Sequence, residues 1–222
     1  MRIAAILGIE KGITSITGSG GKTTLMYVLA EELMTESSVI LCTSTHIIIP
    51  KQYELVTGGE EELAEALLKH RAVCVGTAAQ NGKITASQIP FERLGKMADY
   101  VLVEADGAKG LPLKAHASYE PVIPKLSRRV IEVVGVDGLG GIVKEVCHRP
   151  DIWAELAGTD TGSIVTPEKE ARVIRAEALA DTVYINKTDA IKEKGDLAEL
   201  ARLIPYQTFM GSLKKRYIEK CH

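Results

Sequence analysis

A chain of 222 residues, 45% hydrophobic and 25% charged, has the balance of an ordinary globular protein and is long enough to bury a sizeable core without disulfides. Its formal net charge of −2 gives no global basic field, which argues against nucleic acid and anionic membrane as partners. Cys42, Cys74, Cys147 and Cys221 fall in no metal-ligand spacing and form no C-x-x-C, so reduced thiols in a cytoplasmic protein are expected.

From the N-terminus, "MRIAAILGIEKG" is too short for a signal peptide, and no apolar run approaches the roughly 20 residues of a membrane span. Residues 2–9 read as a short helix and the β-branched run 13–17 as a first strand. Apolar residues at helical spacing predict a helix over 22–34, and "SVILC" (38–42) predicts a buried strand. A helix over 60–70 begins with acids and ends with Lys69 and His70, as the helix dipole favours. "AVCVG" (72–76) follows as a strand, and "NGK" (81–83) predicts a hairpin turn between two short extended pieces. Residues 86–97 look helical, with Pro90 as an interruption or a boundary.

Strands are expected at 100–107, 129–138 and 181–189, with helices near 150–157, 167–178 and 196–204. The tail at 205–222 carries no clear pattern, and its Lys214-Lys215-Arg216 cluster reads as solvated surface. Alternating strands and helices predict an α/β fold: a doubly wound, mostly parallel sheet, P-loop NTPase-like, with a small β-hairpin insertion, in a single nucleotide-binding domain over 1–222. Such sheets bind ligands beyond the carboxyl ends of their strands.

Three motifs fall at such ends. The first is "ITGSGGKTTL" (16–25), a shortened phosphate loop, G-x-x-G-K-T-T, between a strand and a helix. Gly18, Ser19, Gly20 and Gly21 would turn backbone amides toward an anion at a helix N-terminus. Lys22 would bridge the β- and γ-phosphates, Thr23 would ligate Mg²⁺, and Thr24 would reach an α-phosphate.

The second is "VLVEADG" (101–107), an apolar strand ending in Glu104 and Asp106. Two residues apart, these acids point to one side of an extended chain, placed to hold Mg²⁺ or to orient an attacking water. The third is "INKTD" (185–189), which fits N-K-x-D. A carboxylate at Asp189 can accept from both N1–H and N2–H₂ of guanine, a donor pair that adenine lacks. Asn186 can bond N7 or tie loops together, and the Lys187 stem can cover the ring.

Lesser candidates are Thr43, Ser44, Thr45 and His46 for the γ-phosphate or metal, Asp137 and Asp160, and His148-Arg149-Pro150 for an anionic substrate. The long 105–124 segment, with Lys109, Lys114 and His116, reads as a lid or substrate loop.

"ITGSGGKTTLMYVLAEEL", "VLVEADGAKGLPLKAH…YEPVIP", "HRPD" and "INKTD" together resemble the accessory-protein family of selenium-dependent molybdenum hydroxylases, also called the selenium cofactor biosynthesis family. The loop is also similar to that of the Mur ligases. The first resemblance implies a P-loop nucleotide-binding protein in a selenium-dependent maturation route. It also implies partners such as a molybdenum hydroxylase or a molybdopterin nucleotidyltransferase.

The function expected is Mg²⁺-dependent binding of a purine nucleotide, GTP preferred over ATP, with hydrolysis or phosphoryl transfer. In this reading Lys22, Glu104 and Asp106 carry the chemistry. The alternatives are a nucleotide-gated scaffold without turnover and a Mur-like ATP-dependent ligase or kinase.

Overall fold

The computed structural model describes residues 2–48, 50–191 and 194–222. The chain resolves into two compact units: Met1–Ile16 with Thr23–Gly107 and Val122–Val130, and Thr17–Lys22 with Ala108–Pro121 and Ile131–His222. Both are α/β with predominantly parallel pairing.

In the first unit the strands are β1 (Gly12–Gly18, its last two residues already in the second unit), β2 (Val39–Thr43), β3 (His46–Ile48), β4 (Glu54–Val56), β5 (Ala72–Val75), β6 (Thr77–Ala78), β7 (Lys83–Thr85) and β8 (Tyr100–Glu104). The helices are α1 (Ile3–Ile6), α2 (Lys22–Leu33), α3 (Glu60–Lys69) and α4 (Phe91–Met97). The main sheet runs β1-β8-β2-β5-β4, all parallel. Strand β8 therefore lies between β1 and β2, and Glu104 is in register with Ile16 on one side and Thr43 on the other.

The core packs Ile40, Val73, Val101 and Val103 of the strands against Leu63 and Ala66 of α3 and Leu94 of α4. A small antiparallel sheet, β3-β7-β6, contains the expected hairpin. Its loop is the three residues Gln80–Gly82, closed by Ala79 N–H on Lys83 O at 2.9 Å, and Asn81 and Gly82 both take positive φ (60° and 66°). Helix α4 begins only after Pro90, which caps it; the ring at Pro90 ends the extended lead-in, so 86–90 is not helical.

The second unit contains β9 (Leu113–Lys114), β10 (Ser127–Gly135, entering from the first unit), β11 (Cys147–His148), β12 (Thr182–Asn186), β13 (Gln207–Ser212) and β14 (Tyr217–Lys220), with α5 (Val143–Val146), α6 (Pro150–Ala157), α7 (Pro167–Glu177) and α8 (Lys194–Leu203). Strands β10, β12 and β13 are parallel neighbours, and β14 closes antiparallel on β13. The tail without a sequence pattern is thus a strand pair that extends the sheet.

Trp153, Ile174, Val183, Ile185 and Leu200 are among the residues that fill this unit's core. Within it Glu170 is fully buried and accepts a bond from Trp153 Nε1 at 2.7 Å; burial pushes its carboxyl up to about 8, against the pull of that bond. All four cysteines are unbridged, three of them buried, and burial raises the Cys74 thiol to about 12. Among the described residues no helix is long and apolar enough to cross a membrane.

Candidate functional site

The phosphate turn, Thr17–Lys22, belongs to the second unit and rests on the end of β10. Ser19 N–H donates to Val133 O at 2.7 Å, and the Ser19 hydroxyl donates to Leu111 O. Both donors of Ser19 therefore act inside the protein to fix the turn. Gly18 (φ 88°) and Gly20 (φ 73°) need glycine twice over. Their backbone is left-handed, and a Cβ would land on the Val133 carbonyl at the first and on Gly135 Cα at the second. Gly21 continues at φ 143°. Lys22 is buried, and its Nζ donates to Gly18 O at 2.7 Å, so the ammonium folds back over the turn itself.

At the start of the turn, Thr17 Oγ1 lies 3.1 Å from His116 Nε2. Glu177 accepts from both the His116 amide (2.6 Å) and Nδ1 (2.8 Å). With Nδ1 facing a carboxylate, a neutral His116 would present Nε2 as the acceptor for the threonine hydroxyl.

The N-K-x-D corner stands on the same unit. Strand register puts Asn186 opposite Gly135, the residue against which Gly20 packs. Asn186 Nδ2 donates to Gly20 O at 2.9 Å, and its Oδ1 accepts from Leu213 N–H at 3.2 Å. Of the two roles expected for Asn186, tying loops together is the one its bonds perform. Lys187 takes a left-handed backbone (φ 66°), and its Nζ pairs with Asp137 at 2.7 Å.

Asp189 is exposed. The Ser212 hydroxyl, against desolvation and helped by Lys215 and Lys214, holds its carboxyl below the usual range, so it is an acceptor at neutral pH. Thr188 N–H reaches Gly211 O at 3.1 Å. Ser212 and Leu213 are thus part of the corner, and sequence reading missed both. The available signal was Gly211-Ser212 closing the apolar run "TFM", a strand end like the others.

In the first unit, Thr23 and Glu104 come together: Thr23 Oγ1 donates to Glu104 Oε2 at 2.7 Å. The Glu104 carbonyl accepts from Thr43 Oγ1 (2.8 Å) and Ser44 N–H (3.2 Å), which binds the end of β2 to the end of β8. The Ser44 hydroxyl is buried with no hydrogen-bond partner among the described residues. Asp106, two residues beyond Glu104, is fully buried.

Thr23, Glu104 and Ser44 offer oxygen donors only, a set that fits a hard cation such as Mg²⁺. Among the described residues no group of three or more His, Cys, Asp or Glu could hold a metal ion, so a cation here would need oxygens from a ligand as well. Thr24 is exposed on the first turn of α2, His46 is exposed on β3, and Asp160 bonds Gly162 and Ser163 of its own turn.

A family model described as YqeC protein matches residues 14–151. The chain belongs to the YqeC family. The matched region holds the phosphate turn, the strand ending at Glu104, the 105–124 segment and the His148-Arg149-Pro150 stretch; Asn186–Asp189 lies beyond it. A YqeC relative from Escherichia coli (strain K12), itself described as an uncharacterized protein, is 35% identical over 166 residues, covering 68% of this chain. The chain spans 64% of that relative's length. The GDP complex of the signal recognition particle 54 kDa protein from Aeropyrum pernix K1 is similar over 95% of this chain and 44% of its own, at 16% identity and a TM-score of 0.43. That likeness is too distant to bear on function.

Proposed function

We propose that this chain binds a magnesium–purine nucleotide, GTP in preference to ATP, and hydrolyses it or transfers its γ-phosphoryl group. The observation that carries the reading is the Asn186 side chain, which joins the base-reading motif to the phosphate turn through Gly20 O at 2.9 Å. In this reading a triphosphate on the turn would extend its base toward Asp189, three residues beyond Asn186 in sequence.

In this reading the amides from Gly20 onward and the Lys22 ammonium stabilise charge on the phosphate oxygens. Lys22 exchanges its bond to Gly18 O for a phosphate oxygen. Thr23 and Glu104, with Asp106 nearby in sequence, would hold Mg²⁺, which would supply neutralisation of phosphate charge. Ser44 supplies an unused buried hydroxyl on the strand end bonded to Glu104. Asp189, held ionised, accepts from the guanine N1–H and N2–H₂ edge. The pathway, maturation of a selenium-dependent molybdenum hydroxylase with that enzyme or a molybdopterin nucleotidyltransferase as partner, rests on the resemblance carried by the 104–124 block.

Calorimetric titration with GTP, ATP and their diphosphates, with and without Mg²⁺, tests this. GTP should bind at least about tenfold more tightly than ATP, the worth of one well-placed charged hydrogen-bond pair. Equal affinity removes the guanine reading, and no Mg²⁺-dependent binding of either removes the nucleotide.

A further inference from the structure

The nucleotide reading leaves unused the most distinctive block of the chain, Lys109–Pro124, and the His148-Arg149 pair. The block as far as Pro121 and the His148-Arg149 pair lie in the second unit, and β9 and β11 join them: the two-residue parallel ladder sets Lys114 opposite His148, with Ala115 N–H on His148 O at 3.1 Å.

Arg149 follows in a left-handed conformation (φ 60°, ψ 61°), sparsely populated for a residue with a side chain and more so before a proline. In that pose its Nε donates to Glu120 Oε1 at 2.5 Å, its Nη2 donates to the Tyr119 hydroxyl at 2.8 Å, and the guanidinium stacks 5.1 Å from the Tyr119 ring centre. The remaining guanidinium hydrogens have no protein partner among the described residues, and the side chain is a quarter exposed. Lys114 has its Nζ 3.2 Å from the other Glu120 oxygen, with no side-chain surface in solvent. Burial opposes ionisation of Glu120, but Arg149 and Lys114 outweigh it and keep the carboxyl below the usual range. Burial first, then Lys114, Arg149 and Lys109, push the His148 imidazole below its ordinary value against the single opposing carboxylate of Glu120.

A carboxylate and an aromatic ring thus hold an arginine in a strained pose with donors to spare, beside a lysine and a half-buried imidazole. Such a preorganised fork is suited to a tetrahedral or planar oxyanion. The same stretch of chain touches the phosphate turn on either side of Lys114: Leu111 O accepts from Ser19, and His116 meets Thr17 at 3.1 Å.

We propose that Arg149 and His148 form a second anion-binding site, with the buried Lys114 adding positive charge from behind Glu120, and that this site takes the phosphate-like dianion of a small second substrate. As a substrate site it rests on the nucleotide reading; as an anion site it does not. Tyr119 and Glu120 position Arg149, and several cations around one carboxylate favour a dianion over a monoanion.

The test titrates the full chain, saturated with Mg²⁺ and a non-hydrolysable GTP analogue so that the turn is filled, with inorganic phosphate, and separately with succinate as the carboxylate source. Phosphate should bind saturably and raise the His148 imidazole pKa followed by NMR, because a bound dianion offsets Lys114, Arg149 and Lys109. Arg149→Gln should weaken phosphate binding by roughly tenfold, as expected for a charged hydrogen bond, with GTP-analogue affinity within about twofold of the parent protein.

Undiminished phosphate binding in Arg149→Gln, or a His148 titration that phosphate leaves in place, overturns the site. Succinate binding as tightly as phosphate overturns the phosphate-like assignment. Should Arg149→Gln fail to fold, Tyr119→Ala at the exposed ring should weaken phosphate binding roughly threefold by loosening the stacked guanidinium, and unchanged affinity there counts against the site. In nucleotide-free Lys22→Ala, phosphate should still shift His148; loss of that shift means the ion sat on the turn. If the parent protein binds no nucleotide yet phosphate still moves His148, the nucleotide reading falls and this site stands.

Discussion

The phosphate turn and the N-K-x-D corner are both strand-end structures of the second unit, but they are held in different ways. The turn is fixed by backbone: Ser19 N–H on Val133 O and two glycines whose Cβ positions are already filled by main chain. The corner is fixed by side chains: Asn186 bridging Gly20 O and Leu213 N–H, Lys187 on Asp137, and Ser212 on Asp189. A backbone device fails as a whole when one atom is added, whereas a side-chain device fails by degrees and with chemical selectivity.

The largest effect separating the two should come from Gly20→Ala. Its Cβ would meet the Gly135 main chain at a φ of 73°, so neither neighbour can give way cheaply. Strain of this kind costs about 1–3 kcal/mol from the backbone alone. We expect loss of measurable GTP and ATP binding together with a lowered thermal midpoint; wild-type affinity in this variant would mean the turn tolerates what its geometry forbids.

The corner should break more gently. Asn186→Ala leaves Gly20 O and Leu213 N–H without their partner, at about 1–3 kcal/mol, and should weaken GTP and ATP alike because it loosens the turn. Asp189→Asn should reduce GTP affinity by roughly tenfold and leave ATP nearly unchanged. Titration of the two variants with both nucleotides checks this; the same GTP-to-ATP ratio in each would show that Asp189 does not read the base.

The smallest effect on the site, though not on the fold, comes from Glu170, away from both devices. Its carboxyl keeps its proton to about pH 8 in the folded chain, against an unfolded value near 4.5. The folded state therefore binds more protons between these values. Its contribution to stability is fully present below about 4.5, declines as pH rises toward 8 at up to about 1.4 kcal/mol per unit, and is flat above. Glu170→Gln keeps an acceptor for Trp153 Nε1 but cannot ionise, so urea unfolding from pH 5 to 9 should lose most of this slope.

Much of the frame was legible because buried strands and amphipathic helices write themselves as runs and periods. The strands ending at Thr43, Glu104 and Asn186, and the Asn81-Gly82 hairpin, stand where their residues put them. The two-residue ladder of β9 and β11 was not legible, since two residues carry no period. The β13–β14 pair was hidden by Gly211 and by the basic turn at 214–216, which reads as surface and is surface. At the site, Glu104 and Asn186 stood out as polar residues closing apolar strands. Leu213 could not stand out, because what it contributes is an amide hydrogen common to every residue but proline. The double use of Ser19 was invisible for a related reason: its partners, Leu111 and Val133, contribute only carbonyls.

On the proposed reading, the bond from Leu213 to Asn186 would link the C-terminal strand pair to base selectivity. A truncated form stopping short of residue 212 would retain the glycines and Val133 that shape the turn, yet strip Asn186 of one anchor and Asp189 of its serine. On the proposed reading such a fragment would hold phosphate more loosely and lose its base preference, so the C-terminal strand pair would serve discrimination as well as closing the edge of a sheet.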